Sequence, residues 1–358
     1  MIAVSESLKG RHFTRVADWE RPELEAVLDL ADELKTLQQQ GEEHRLLPGR
    51  TLGMIFQKPS TRTRVSFEVG IAQLGGVGLY LAASDLQLGR GETLRDTATV
   101  LSRYLDGLMI RTFAQDDVEE LARNASIPVI NGLTDSAHPC QALADVMTIR
   151  ERFGRLEGVR VTYLGDGNNV CASLMVAAAK LGMSFVAATP PGYEPVDEAV
   201  RIARDAGGSV ELTQDPTAAA AGADVLYTDV WTSMGQEEER ARRLSDLAGY
   251  GIDEGMLRLA GRDAIVLHCL PAHYGEEITE DILYGPRSAA WDQAENRLHS
   301  QIQTIELTTI SATVTSGKLR VGTLSLSGST ERGGYGITSA ISAFCAWRRF
   351  SAWSQTAD

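Results

Sequence analysis

From Arg50 onward the chain alternates short apolar runs with longer stretches of helical spacing. The runs form two series. The first covers 51–56, 78–81, 107–112 and 128–130. A helical stretch at 140–152 follows, and the second series covers 160–164, 184–188, 209–212, 225–230 and 264–267. Strands that alternate with helices make βαβ units, so each series predicts a parallel sheet. The expected fold class is α/β, with two α/β domains joined by the helix near 140–152. The 358 residues are enough for roughly two ordinary domains. Upstream, Leu24, Leu28, Leu34 and Leu37 recur at helical spacing and predict a helix over 21–39. From Ile302 the sequence is dense in Ser and Thr, and 302–358 reads as a tail of weak order.

Sheets of this kind bind ligands at the carboxyl ends of their strands. Composition narrows the ligands. A net charge of −14 argues against nucleic acid or an anionic membrane surface as the main partner. No run approaches the roughly 18 apolar residues of a membrane span, and residues 1–15 lack an apolar signal core. Cys140, Cys171, Cys269 and Cys345 form no CxxC pair, which fits free thiols in a reducing cytosol.

The polar groups at the predicted strand ends are specific. Ser60-Thr61-Arg62-Thr63-Arg64 follows the first run and the turn Lys58-Pro59, at a predicted helix start. Backbone N–H groups, side-chain hydroxyls and two guanidinium groups there suit a phosphate dianion; a capping Ser beside surface arginines is the competing reading. Gln87 opens a charged, Gly-rich loop that is either a ligand loop or a solvated turn. Arg111 ends the third run and needs either an anionic ligand or a structural carboxylate. In His138-Pro139-Cys140-Gln141, Pro139 fits the first turn of the following helix. His138 and Gln141 then face the interdomain space. The Cys and His spacings match no zinc pattern, so His138 is read as a general acid or a donor to a carbonyl oxygen. Gly165-Asp166-Gly167-Asn168-Asn169 resembles a dinucleotide turn without the GxGxxG fingerprint, and its asparagines can serve a small polar ligand. Asp229 ends another run and can pair with an ammonium group or cap a turn. The Ser233-Met234-Gly235 turn after it offers N–H groups to a carboxylate. In His268-Cys269-Leu270-Pro271, Cys269 is either a nucleophile without an evident base or a thiol lining a pocket.

Taken in order over about residues 8–301, these segments resemble the ornithine carbamoyltransferases of the aspartate/ornithine carbamoyltransferase superfamily. The resemblance implies two Rossmann-like domains with parallel sheets joined by interdomain helices. Carbamoyl phosphate would be bound by residues 1–137, with 138–152 an interdomain helix, and ornithine by 153–290. Residues 291–301 would start a C-terminal return helix, with 302–358 an atypical tail. By the same resemblance, carbamoyl phosphate would be held by Ser60, Thr61, Arg62, Thr63, Arg111, His138 and Gln141, with Cys269, Leu270 and Arg297 closing over the reacting groups. Gln87 would reach into a neighbouring subunit's site. Ornithine would be held by Asn169, Asp229, Ser233 and Met234. Arg62, Arg111, His138, Gln141, Cys269 and Arg297 would carry catalysis, with no metal and no organic cofactor. A cytoplasmic homotrimer, or a multiple of trimers, is implied. One departure stands out. After Gln301 the sequence is rich in β-branched residues and is a poor helix former, so the family's return helix is expected to be cut short. Transfer to another amine such as putrescine, and an inactive ligand-binding homologue, are the alternatives.

Overall fold

The first series of apolar runs forms a sheet of four parallel strands: β1 (Thr51–Phe56), β2 (Val77–Ala82), β3 (Gly107–Arg111) and β4 (Val129–Leu133). The helices of this half are α1 (Arg21–Gln39), α2 (Thr61–Gln73), α3 (Leu94–Leu101) and α4 (Gln115–Asn124). After α5 (Pro139–Phe153), the second series forms β5 (Arg160–Leu164), β6 (Ser184–Ala188), β7 (Ser209–Thr213), β8 (Val225–Thr228) and β9 (Ile265–His268), again parallel. Its helices are α6 (Asn169–Lys180), α7 (Asp197–Asp205), α8 (Pro216–Ala220), α9 (Arg240–Asp246), α10 (Glu254–Leu259), α11 (Glu280–Leu283) and α12 (Ala290–Thr309). The computed structural model describes residues 8–233, 237–309, 312–315 and 318–321.

The strand orders, β2-β1-β3-β4 and β7-β6-β5-β8-β9, each reverse direction once. The reversals lie between β1 and β3 and between β5 and β8. Neighbouring loops diverge there, which opens a crevice at the carboxyl ends of the strands. The strands that flank the reversals are sealed: β3 and β8 are buried throughout and β1 is buried from Leu52, as is the terminal strand β9. The edge strands β2 and β7 are largely exposed.

Two helices tie the halves together. In α5 every residue from Pro139 to Ile149 is buried, the pattern of a helix packed on all sides. α12 leaves the second sheet and packs against α1, α2 and α5. The sequence predicts that this helix stops near Gln301, but it runs to Thr309. The cause is tertiary. Gln301, Thr304 and Thr308 are buried, and the Gly10 N–H donates to the Thr308 carbonyl at 2.7 Å. Packing overrides weak intrinsic propensity. The expected weak order is therefore corrected for 302–309. Ala312–Thr315 and Lys318–Val321 then pair as an antiparallel hairpin. The remainder of the predicted tail, 322–358, lies outside the described residues.

Asn296 fastens α12. It is fully buried, its Nδ2 donates to Thr148 Oγ1 (2.9 Å) and Glu151 Oε2 (2.8 Å), and its Oδ1 accepts from Lys35 Nζ (2.8 Å). Asn296→Ala should cost roughly 1–3 kcal/mol, because buried polar partners are left unpaired. Urea unfolding measures this, and an unshifted midpoint would show that α12 is held by other contacts.

Candidate active site

Both strand-order reversals open onto one cleft of about 710 Å³. From the first sheet come the turn after β1, the start of α2, Arg111 at the end of β3, and His138 and Gln141 at the start of α5. From the second come Asn168 and Asn169 after β5, Asp229, Val230, Thr232 and Ser233 after β8, and Cys269 to Pro271 after β9. Arg297 of α12 reaches the floor between them.

One end of the cleft is cationic. Ser60 caps α2 by accepting from the Thr63 N–H at 3.3 Å, so the positive end of this helix faces the cleft. Arg297 Nη2 lies 3.3 Å from Thr63 Oγ1, with Arg111 Nη1 at 3.5 Å from the same oxygen. Arg297 Nη1 donates to Gln141 Oε1 at 2.7 Å. With its amide oriented to satisfy both neighbours, Gln301 accepts from Arg297 Nε (2.8 Å) and donates to Ser66 Oγ (2.6 Å). Among the described residues, no carboxylate lies within ion-pair distance of Arg62, Arg111 or Arg297. Burial, then Arg297 and Arg62, push the Arg111 pKa down to about 10, and burial also lowers that of Arg297. His138 is buried with Nδ1 unpartnered, and its backbone N–H donates to Ser173 Oγ at 2.8 Å. Burial, then Arg297 and Arg111, push its pKa well below the usual value. It is therefore a neutral imidazole, able to donate a single hydrogen bond into the cleft.

The opposite end is built around Asp229. Its Oδ2 accepts from Asn168 Nδ2 (2.7 Å), and its Oδ1 from the Val230 N–H (2.8 Å) and Cys269 Sγ (2.9 Å). Burial first, then Asp229, raise the Cys269 pKa well above its usual value. Cys269 is thus a neutral thiol and not an activated nucleophile. Asn168 also caps α6, accepting from the Val170 N–H at 3.0 Å. Below this wall, Arg243 Nε donates to the Trp231 carbonyl at 2.5 Å and pairs with Asp166. Gly165 is required here: its φ is +121°, and a Cβ would come within 3.1 Å of the Trp231 indole nitrogen.

The cleft brings together Ser60, Thr61, Arg62, Thr63, Arg111, His138, Gln141, Asn169, Asp229, Ser233, Cys269, Leu270 and Arg297. Gln87 is exposed on a short turn and does not line the cleft of its own chain. Met234 lies outside the described residues. Arg64, grouped with the anion site in the sequence, turns away: it stacks on Tyr80 at 4.0 Å and pairs with Glu68 at 3.0 Å. Residues at and beyond α2's first turn change direction by about 100° each, so Arg62 and Arg64 cannot share one face closely. Asn169 donates to the Thr134 carbonyl at 2.5 Å, and its neighbour Asn168 is the one that holds Asp229. Lys58, which the sequence shows only as part of a turn, is a further cleft residue. It is buried at the cleft wall, paired with Asp135 and set 4.3 Å over the Phe113 ring. Its place one residue before Pro59, at a strand end, was the available signal.

Comparison with known proteins accords with this geometry. Residues 11–151 match the carbamoyl-P binding domain of aspartate/ornithine carbamoyltransferase, and 157–306 match its Asp/Orn binding domain. The chain belongs to the aspartate/ornithine carbamoyltransferase family. Within it, the chain is similar to the ornithine carbamoyltransferase of Oceanobacillus iheyensis, at 56% identity over 83% of this chain and 93% of the relative. An anabolic ornithine carbamoyltransferase of Pyrococcus furiosus is 54% identical over 82% of this chain and 95% of its own. The solved ornithine carbamoyltransferase structure from Pyrococcus furiosus superposes with a TM-score of 0.82, at 53% identity, over 84% of this chain and 98% of that one. The enzyme from Giardia lamblia gives 0.75 at 32% identity, over 83% and 97%. No helix among the described residues is long and apolar enough to cross a membrane.

The neutral state of His138 is measurable. The unfolded chain takes up this proton near pH 6.5, whereas the folded chain does so only well below that. Its contribution to stability is therefore complete above about pH 6.5 and is lost as pH falls further. An NMR titration should show the His138 ring neutral from pH 8 to 6; a midpoint near 6.5 would contradict its burial.

Proposed function

We infer that the chain transfers the carbamoyl group of carbamoyl phosphate to the side-chain amine of L-ornithine, giving L-citrulline and phosphate. One observation carries this reading: a single cleft has a buried guanidinium cluster at one end and a buried carboxylate with amide and thiol neighbours at the other. The first end suits a phosphate dianion. The second suits the zwitterionic head of an amino acid. The two relatives named ornithine carbamoyltransferase, matched over nearly their whole length, support the same substrate pair.

In this reading, the N–H groups at the start of α2, Ser60, Thr61, Thr63 and Arg62 hold the phosphoryl group. Arg111, His138, Gln141 and Arg297 surround the carbonyl. The neutral ornithine amine attacks the carbonyl carbon, a C–N bond forms, the C–O bond to phosphate breaks, and the proton the amine gives up leaves on the phosphate. Charge that develops on the carbonyl oxygen meets donors already fixed in a water-poor site. Charge on the departing phosphate meets the arginines. Asn169, Asp229, Ser233 and Met234 hold the α-amino acid head. Cys269 and Leu270 cover the reacting groups, the former as a thiol donor held by Asp229. Holding two reactants in line accounts for much of the remaining acceleration. Residues 1–137 form the carbamoyl-phosphate lobe, 153–290 the ornithine lobe, and α5 and α12 connect them.

The working assembly is a homotrimer, or a multiple of one, with Gln87 completing a neighbour's site. Exposed apolar side chains at Val65, Val69, Val77, Leu79 and Tyr80 along α2 and the edge strand β2 support such an interface. The free thiols of Cys140, Cys171 and Cys269 fit the reducing cytosol.

A citrulline assay on the purified protein tests this function. Ornithine should be carbamoylated far better than putrescine, which has no carboxylate for the second end of the cleft; the reverse order would overturn the substrate assignment. The rate should rise toward alkaline pH, because an amine of lysine-like pKa, about 10.4, attacks only when deprotonated. A flat profile from pH 7 to 9 would count against it. Arg62→Ala should lower kcat about 100- to 1,000-fold, the range for removing one donor of developing negative charge, and near-normal turnover at saturating substrates would refute its role.

A further inference from the structure

Asp145 lies on α5, one helical turn beyond Gln141, and is fully buried. It touches neither substrate end of the cleft, since it is absent from the lining. Its Oδ1 accepts from Gln141 Nε2 at 2.8 Å and from Gln293 Nε2 at 2.6 Å. Gln141 Oε1 in turn accepts from Arg297 Nη1 at 2.7 Å. Gln293 Oε1 accepts from the His268 N–H at 2.9 Å, and Gln293 Nε2 also lies 3.0 Å from the Tyr227 hydroxyl.

These bonds determine which way each amide faces. A side-chain amide has one acceptor oxygen and two N–H donors. Gln141 has its oxygen committed to Arg297 and one N–H committed to Asp145. Its second N–H remains for the cleft that Gln141 lines. Rotating the amide by half a turn would set its NH₂ against a guanidinium and its oxygen against a carboxyl oxygen. Asp145 therefore prevents that rotation. The same oxygen fixes Gln293, whose other end holds the last residue of β9, next to Cys269. One carboxyl thus links the carbonyl side of the cleft to the thiol side.

We propose that Asp145 is a positioning residue for carbamoyl transfer, fixing the amide of Gln141 so that one N–H faces the carbonyl of the bound carbamoyl group, and fixing the His268–Cys269 strand end through Gln293. The proposal rests on the carbamoyl-transfer reading above. Burial pushes the Asp145 pKa up to about 7, partly opposed by Gln141, Gln293, Tyr227 and Arg297. Orientation does not depend on that charge, because either protonation state leaves an acceptor oxygen for both amides.

The test is a double-mutant cycle on the full chain with Asp145→Ala, Gln141→Ala and the pair, alongside Asp145→Asn. Citrulline formation by the parent protein is measured first; its absence would overturn the functional reading and not this proposal. With an active parent, Asp145→Ala should lower kcat about 100-fold per folded molecule while KM for each substrate changes less than about threefold. The double variant should be no slower than the slower single variant, since both remove one device. Asp145→Asn keeps an acceptor oxygen and should lie within about tenfold of the parent. Losses that multiply in the double variant, or an Asp145→Ala kcat near that of the parent, would overturn the proposal. Should Asp145→Ala fail to fold, Asp145→Asn decides: a folded Asn variant as slow as Gln141→Ala contradicts a positioning role.

Discussion

Two guanidinium groups, those of Arg111 and Arg297, are almost fully buried, and among the described residues no carboxylate pairs with either. Taking a cation out of water is costly, and an unpaired buried charge is one of the largest single penalties a fold can carry. Both pKa values are depressed, by burial before any other cause. The fold sustains this because neutral acceptors surround the charges: Thr63 Oγ1, Gln141 Oε1 and the Gln301 amide. Those acceptors come from α2, α5 and α12, so the helices have to meet where the arginines are. In the proposed reading, the phosphate dianion of the substrate would supply the missing countercharge.

The same requirement explains α12. A helix that ended near Gln301 would lose the amide that accepts from Arg297 and the anchors beyond it. Instead it continues past a β-branched segment, because Thr304 and Thr308 are buried against its neighbours. Stability and chemistry are coupled here: the element that carries Arg297 also laces α1, α2 and α5 together. The opposite wall uses a different device. Asp229 is satisfied three times over, by Asn168, Val230 and Cys269, and so waits as a rigid acceptor. One end of the cleft is under-neutralised and the other is tightly bonded, which is the asymmetry that two unlike substrates need.

Much of this was legible in the sequence. Parallel strands buried on both faces read as continuous apolar runs, and the runs at 51–56, 160–164 and 184–188 coincide with β1, β5 and β6. Strand ends are where a parallel sheet binds ligands, so Ser60, Arg111, Asp229 and Cys269 were identifiable from position alone. Several features were not legible, and each depends on a partner distant in sequence. Gln141 meets Arg297 across 156 positions, and Asp145 meets Gln293 across 148. Arg64 looked like a second phosphate ligand until α2 turned it onto Tyr80. The extension of α12 defeated local propensity because tertiary burial outweighed it.

In the proposed mechanism the cationic end and the Asp229 end work as one site. Calorimetry with a single molecule that joins a phosphonoacetyl group to the side-chain nitrogen of ornithine tests it most directly. Binding should be at least about 1,000-fold tighter than that of inorganic phosphate or ornithine alone, since both ends are filled for one cost of association, and most of that gain should be lost in either Arg111→Met or Asp229→Asn. Affinity no better than that of phosphate alone would contradict it.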